Sequence, residues 1–571
     1  MKQATPVKPT TTTRPRSTTP VDEPSPIRRA ALIFAAALLL RAVYYLMIRR
    51  TGCLDINLDP ISDMETFHRW ALSIVQGDWL GRGDFHPFHP WQAAVASREQ
   101  WALWYGHVYH QEPFYPYFIA LVYLLAPREP SSVVLVQFVA GAAGCALTYL
   151  IARRLIPEGA ALAAGVLAVL YGPYYYYESL LLRDSLMIPL NALMLWVLIE
   201  ARARSADSRR IGWWAAGGAL AGVACITKAS VLPFFALFAL LTVLERRGER
   251  AANRFRPAAA MAAGFLACFL PVAARNAVVG APLTKITTRG PIEFINGNNP
   301  WHMGIGWFDG DDERVSRYAH DTLARSGGGL LPTVAAVVKG WSSNPTGLLR
   351  LQVVKTCWFF APFEMPNNAS YAYFRLNSGF LRHATLSFFW ISPLAMLGLL
   401  ESWSYRRRFA PLYLFLACGI VTTVVFYVIA RFRAPFMPAI LTFAALGGAS
   451  LLAHARRLRA GRLALQLILV GAILALNSAR TFPDEDLVRP QDYLISLQGY
   501  LSRGMKAQAL TEAETGRRLF GALPEFHKAA ARLYLEQGRK AEAQAAYRDV
   551  LARDPSDAEA RRQVMLLTSS P

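Results

Sequence analysis

The sequence is short of charge, of cysteine and of nucleotide-binding glycine loops, and each shortage excludes something. Only 17% of its 571 residues are charged against 54% hydrophobic, and the apolar residues recur in runs of about 20, the length that crosses a bilayer. That excludes an ordinary soluble protein. The six cysteines, Cys53, Cys145, Cys225, Cys268, Cys357 and Cys418, lie mostly inside apolar runs with none at metal-ligand spacing, so they read as small buried side chains. The missing glycine loop argues against a nucleotide-linked substrate. No cleavage signal follows the first apolar run, which is expected to remain as an anchor. A formal charge of +21 would suit nucleic acid, but Lys and Arg fall in short clusters between apolar runs and make no continuous basic face.

What is present is an all-α polytopic membrane protein. Eleven apolar runs are long enough to span, near 27–48, 131–151, 159–176, 184–201, 211–227, 229–245, 258–275, 384–400, 409–430, 434–453 and 462–478. Two shorter ones, 114–126 and about 345–363, are expected as partly inserted or juxtamembrane helices. With eleven spans every basic cluster falls on one side: Arg28-Arg29, Arg153-Arg154, Arg202 to Arg210, Arg246 to Arg256, Arg406 to Arg408 and Arg456 to Arg462. The positive-inside rule then predicts a cytoplasmic N-terminus and an external C-terminus. The external side receives loops 49–130 and 276–383. Residues 1–26, rich in Thr, Pro and Arg, are expected to be a disordered cytoplasmic tail. The membrane unit spans 27–480. The tail 490–567 carries a 34-residue periodicity, with Tyr534, Gly538, Ala543, Tyr547 and Pro555 echoed by Tyr500, Gly504 and Ala509, the spacing of a small tetratricopeptide-like helical domain.

Charges predicted at external helix ends are the candidates for chemistry, since charge near a membrane is costly. In the first loop, Ser62 followed by Glu65 is a capping box that predicts a helix start with Asp63 in its first turn. Met64, Phe67, Ala71, Ile74 and Val75 give that helix an apolar face suited to lying along a bilayer surface. Asp184 stands where an external turn re-enters the membrane, where it or Ser185 also suits a cap. Glu178 is a weaker acid candidate with Arg183 as an expected partner. Lys228, Arg275, Arg431 and Arg433 are cations at external ends; the last two oppose the positive-inside trend, and a phosphate near the surface would account for them. Arg289 and the Asn296-Gly297-Asn298-Asn299 cluster with Trp301 suit carbohydrate hydroxyls or an ordinary turn. His86, His89, His107 and His110 have no firm metal spacing. Arg41 sits alone within the first span, its partner unidentified.

Together these stretches resemble the GT-C superfamily of membrane glycosyltransferases, in the bacterial branch related to protein O-mannosyltransferases and aminoarabinose transferases. The matching pieces, in order over about 30–450, are Asp63; Glu112-Pro113-Phe114-Tyr115-Pro116-Tyr117; Asp184; Thr227-Lys228-Ala229; Pro271 to Asn276; Gly290 to Pro300; Asn344-Pro345; Pro362-Phe363-Glu364 with Asn367; and Arg431-Phe432-Arg433-Ala434-Pro435. The resemblance implies a GT-C fold in a bacterial inner membrane. It implies inverting transfer of a hexosyl or pentosyl group from a polyprenyl-phosphate carrier to an acceptor hydroxyl of a protein, glycan or glycolipid, on the extracytoplasmic side. Asp63 would be the general base and Asp184 its helper or the acceptor's positioner. Lys228, Arg431 and Arg433 would hold the carrier phosphate. Gln111-Glu112-Pro113 departs from the His-Pro-Pro or Lys-Pro-Pro that relatives carry, so the basic phosphate contact expected there is missing: either Glu112 touches acceptor or metal, or another cation replaces the lost one. No particular cofactor is implied, and a divalent cation is left open. The tail would recruit an acceptor or partner protein. Two other classes stay in view: a flippase of a lipid-linked sugar, which would want acids and bases near mid-membrane in two related halves, and a glycan ligase with a lipid-diphosphate donor.

Overall fold

A computed structural model describes residues 25–569 apart from 84, 87, 205–210 and 305–312. Most of the N-terminal tail and the second half of the Arg202 to Arg210 cluster therefore lie outside the described residues. All regular structure among the described residues is helical, with one isolated bridge pairing Tyr171 and Leu386.

Seven helical stretches are long and apolar enough to cross a membrane: Pro26–Ile48, Pro130–Leu155, Arg183–Ala203, Ala251–Val279, Phe388–Val425, Ala430–Arg456 and Ala460–Ser478. Shorter apolar helices occupy Phe114–Leu125, Glu158–Leu170, Ile211–Thr227 and Ala229–Glu245. Each of the eleven expected runs is thus helical, but not each is long. The stretch Phe388–Val425 is two helices, because the Tyr413 hydroxyl donates to the Leu399 carbonyl at 2.8 Å. In one continuous helix those residues would stand about 21 Å apart, so the chain folds back at Trp403–Tyr405. The run 159–176 is cut short at Leu170. There Gly172 N donates to Leu386 O and Leu386 N to Leu170 O, and Pro173 starts a separate helix, Gly172–Glu178.

Four of the basic clusters meet at one end of the bundle. Arg29 and Arg153 both pair with Glu158, Arg154 with Glu200 and Arg202 with Glu245, while Arg408 donates to the Arg154 carbonyl and Arg202 to that of Arg407. Asp184 opens the 21-residue helix that Arg202 closes, so the acid lies about 30 Å away at the opposite end.

That opposite end carries the loop helices. The helix Asp63–Val75 buries Met64, Phe67, Trp70, Ala71 and Ile74, but its apolar face does not lie on the bilayer. It packs on Phe114–Leu125, with Phe67 edge-on to Tyr115 at 5.0 Å and His68 bonded to the Tyr123 hydroxyl at 2.7 Å. Beyond it, Arg289–Asn298, Glu313–Ser326, Leu330–Gly340 and Pro345–Phe359 share a small core around Trp91, Trp101, Ile295, Leu323 and Val337. The chain ends in five helices, Pro490–Ser502, Lys506–Leu519, Pro524–Glu536, Lys540–Arg553 and Ala558–Ser569. Gly504 (φ +71°) and Gly538 (φ +74°) turn two of them in the left-handed conformation that glycine adopts without strain.

Inside the bundle Arg41 has a partner after all. Its Nε and Nη2 donate to the two carboxylate oxygens of Glu178 at 2.6 and 2.7 Å, with both side chains fully buried. Gly141 makes the room: a Cβ there would stand 2.1 Å from Glu178 Oε1. Glu178 is therefore a structural ion, bonded neither to Arg183 nor to the loops. Removing one member of such a pair strands a buried charge, at a cost of about 3–5 kcal/mol. Arg41→Met should lower the thermal midpoint in detergent accordingly, and Arg41→Met with Glu178→Leu should recover most of the loss; equal melting of wild type and the single variant would show the pair to be idle.

Candidate functional site

Seven chain segments converge at the end of the bundle away from the basic clusters: two bring Arg289 and Asn368 from the long loop, and five carry the other groups. Ser62 caps the first by accepting from Glu65 N at 3.2 Å, which puts Asp63 at the first helical position; Glu65 turns to Arg69 instead of completing the box. The second is the entry to Phe114–Leu125, carrying Gln111 and Glu112. Arg183 and Asp184 begin the third, where Leu182 leaves the chain extended before the helix. Lys228 sits in an extended break between two apolar helices. Arg431 lies in the short 3-10 turn Ala430–Phe432.

Both Asp63 oxygens are occupied. Oδ1 accepts from Gln111 Nε2 at 2.9 Å and lies 3.4 Å from Arg289 Nη1; Oδ2 accepts from Asn368 Nδ2 at 2.8 Å and from Arg431 Nη2 at 3.0 Å. Arg431 then links the two acids, its Nε standing 3.7 Å from Asp184 Oδ2. Lys228 donates to the other oxygen of Asp184 and rests over the Phe432 ring at 3.7 Å. Glu112 pairs with Arg183 and accepts from Ala229 N at 3.0 Å. Arg289 also pairs with Glu293, and its Nη1 lies 3.4 Å from His110 Nε2.

The electrostatics follow from crowding. Burial works against ionising Asp63, but Arg289, Arg431 and the Asn368 amide outweigh it and hold the carboxyl well below the usual carboxylate range. Burial also pulls the Lys228 ammonium down to about 8, against the pull of Asp184. His110 is held well below the imidazole range by burial, Arg289 and His86. Arg183, Lys228, Arg289 and Arg431 face Asp63, Glu112, Asp184 and Glu293, so positive and negative groups balance. One donor is left over: Arg431 Nε has no hydrogen-bond acceptor although its side chain is only 8% exposed.

Of the expected site residues, Asp63, Gln111, Glu112, Asp184, Lys228, Arg289 and Arg431 come together, and four do not. Glu178 is committed to Arg41. Arg275 ties loops together, donating to the carbonyls of Leu80, Gly81 and His107 and covering the Tyr109 ring at 3.8 Å. Asn298 is a buried strut: its amide donates to Phe294 O and Val425 O, and its oxygen accepts from Gln352 and Lys355. Gly297 beside it is needed for contact, since a Cβ would fall 1.7 Å from the Phe426 carbonyl. Arg433 turns the other way, to Glu364 at 2.7 Å and to the carbonyls of Phe359 and Ala361. Sequence reasoning missed Arg183, Glu293 and Asn368 as members. Asn368 had a signal in the Asn367-Asn368 doublet; for Glu293 the spacing of four from Arg289 was one.

No three His, Cys, Asp or Glu side chains among the described residues converge as a metal site. His86 and His110 meet ring to ring at 4.8 Å, while His107 lends its carbonyl to Arg275.

No curated protein matches the chain. Among solved structures, the apo oligosaccharyltransferase of Archaeoglobus fulgidus aligns with a TM-score of 0.44 at 13% identity, over 82% of this chain and 56% of that one. The same enzyme tethered to an acceptor peptide containing the NVT sequon gives 0.42 at 13% identity, over 82% and 55%. Its complex with an inhibitory peptide and a dolichol-phosphate gives 0.39 at 13% identity, over 82% and 56%. The chain thus spans a little over half of that enzyme's length, and likeness at this level carries no argument about reaction or substrate. A family model described as dolichyl-phosphate-mannose-protein mannosyltransferase matches residues 110–274. Over that segment, which carries Gln111, Glu112, Arg183, Asp184 and Lys228, the chain is similar to the dolichyl-phosphate-mannose-protein mannosyltransferase family, bearing out the resemblance to GT-C membrane glycosyltransferases.

Proposed function

We propose that this protein is an inverting membrane glycosyltransferase that moves a sugar from a polyprenyl-phosphate carrier to an acceptor hydroxyl on the extracytoplasmic side. One observation carries the reading: a buried carboxylate, Asp63, shares a guanidinium, Arg431, that keeps a hydrogen-bond donor in reserve. A sugar phosphodiester carries one negative charge and leaves as a phosphate with two, so it needs cations at the leaving oxygen and no acid to protonate it. Arg431 and Lys228 are the candidates. The membrane unit 27–480 would do the chemistry, and the tail 490–567 would be an external repeat domain. The gathering of basic clusters at the far end supports a cytoplasmic N-terminus, with the site facing out.

The same geometry sets the order of events. Asp63 held between two guanidinium groups is a poor base, because a general base works best with its pKa near the working pH. When the donor phosphate takes up Arg431, that cation's pull on Asp63 falls and the carboxylate becomes more basic. The acceptor oxygen then attacks the anomeric carbon from the face opposite the phosphate. Asp63 takes the hydroxyl proton, and the carbon–oxygen bond to phosphate breaks with its electron pair leaving on the carrier. Asp184, fixed by Lys228 and Arg431, holds the cations in register. Gln111, in the place of the basic residue in relatives, donates to Asp63, and Glu112 beside it fixes Arg183 and the Lys228 break.

Two measurements test this. Purified protein given radiolabelled polyprenyl-phosphate sugars should transfer label to acceptor or water, and Asp63→Asn should lose about 10²–10⁴-fold in kcat while still binding carrier. Equal turnover of the two proteins would remove Asp63 as the base; transport without any transfer would favour a flippase. Carrier-phosphate affinity should weaken as pH rises through about 8, where Lys228 loses its proton. Lys228→Arg should abolish that inflection, since a guanidinium stays charged. An unchanged inflection would assign it elsewhere.

A further inference from the structure

The five C-terminal helices are built into the end of the bundle that holds Asp63. The first, Pro490–Ser502, lies on the 3-10 segment Gly52–Leu58, so closely that a Cβ on Gly52 would stand 1.6 Å from Ser496 Oγ and one on Gly499 2.2 Å from Asp55 Oδ2. Tyr500 accepts from Gly52 N at 3.1 Å, and Arg503 donates to Asp55 at 2.8 Å. This contact leads straight to the candidate base. Asp59 begins the turn that starts the Asp63 helix: its carbonyl accepts from Ser62 N and Ser62 Oγ, and its Oδ1 accepts from Ile61 N. The same Oδ1 accepts from Gln491 Nε2 at 3.1 Å, and Arg489 Nη2 approaches Oδ2 at 3.8 Å.

The tail grips the second support of Asp63 as well. Asn368, which holds Asp63 Oδ2, lies two residues before Ser370, on the loop that continues to Tyr373. Just beyond, Tyr373 packs edge-on to Tyr493 at 4.9 Å and donates to Glu512 at 3.0 Å, while Arg375 pairs with Asp484. Two loops that share no backbone bond, one bearing Asp63 and one bearing Asn368, are thus anchored on the same helix start.

We infer that the segment Arg489-Pro490-Gln491-Asp492, through Asp59 and the Ser370 loop, is a positioning clamp that sets the orientation of the Asp63 carboxylate. It rests on the reading of Asp63 as the base. Arg489 and Gln491 touch neither substrate nor the reacting atoms; they act through the Asp59 turn. A ligand or partner that shifts the tail therefore shifts the base, which gives the repeats a route to the chemistry besides recruitment.

The test uses the full-length protein. Gln491→Glu sets a carboxylate against Asp59 in a side chain of the same size, and Arg489→Ala removes the cation. Each should lower kcat by about tenfold or more, the scale set by small misplacements of a catalytic group, with carrier affinity and donor KM unchanged. Adding Asp59→Asn to Gln491→Glu restores a donor–acceptor pair with its polarity reversed, and should return most of the lost kcat. The clamp is overturned if Gln491→Glu and Arg489→Ala turn over as wild type while Asp63→Asn is inactive, which leaves the base intact. It is also overturned if kcat, carrier affinity and melting temperature fall together without rescue, as for a merely structural contact. Full turnover by Asp63→Asn would instead remove the base, and the clamp with it.

Discussion

Everything at the candidate site depends on one guanidinium serving two carboxylates. Arg431 donates to Asp63 and faces Asp184 across 3.7 Å, so the two acids are held apart by a shared cation and neither can move without the other. Burying such groups costs several kcal/mol for each ion, and only dense pairing returns that cost. The pairing is dense here: Lys228 secures Asp184, Arg289 and Asn368 secure Asp63, and Arg183 secures Glu112. The cluster is balanced in charge, so no ion in it is buried alone, and Arg431 Nε is its one unused buried guanidinium donor.

The other buried ions are arranged to opposite effect. Arg41 with Glu178 forms a closed two-point pair with no spare donor on Nε or Nη2. It lies between the first span and the turn preceding Asp184, where a rigid joint keeps the third segment of the site in place; Gln137 adds bonds to the carbonyls of Glu178 and Leu180. Arg275 does a similar service for the loops, fastening three carbonyls from two stretches of chain. A transport pathway would want such charges exchangeable near mid-membrane. Here the pair inside the first span is locked, and the Asp63–Asp184 cluster sits at one end of the bundle.

The helical, many-span architecture was legible because apolar run length is a physical requirement of the bilayer. Which runs were long was less so. The fold-back at Trp403–Tyr405 joins two short helices, and the break at Tyr171 depends on a backbone pairing with Leu386, more than 200 residues away in sequence. Asp63, Asp184 and Lys228 could be picked out because charge at an external helix end is expensive and therefore informative. Glu178 met the same criterion, and Asn298 was singled out for suiting carbohydrate; both are interior struts, since sequence shows that a polar group is costly but not which partner meets the cost. The amphipathic face of the Asp63 helix misled for a related reason: protein and lipid cover an apolar stripe equally well, and only the position of Phe114–Leu125 decides between them.

Arg431 and Arg433 illustrate how local geometry resolves what composition leaves open. Both oppose the positive-inside trend, and by residue type both suit a phosphate. Arg431 lies in the 3-10 turn Ala430–Phe432, and Arg433 caps it at the junction with the next turn, Ala434–Phe436; at about three residues per revolution, positions two apart project about 120° from one another. The two side chains therefore reach different partners. Arg431 meets Asp63 and Asp184, while Arg433 meets Glu364 and the carbonyls of Phe359 and Ala361, lying over the Phe388 ring at 3.7 Å. Glu364 also accepts from the Tyr177 hydroxyl, next to Glu178 in sequence. Arg433 is therefore what pins the turn that aims Arg431. The inner arginine is bonded to backbone carbonyls, whereas the outer one meets carboxylates.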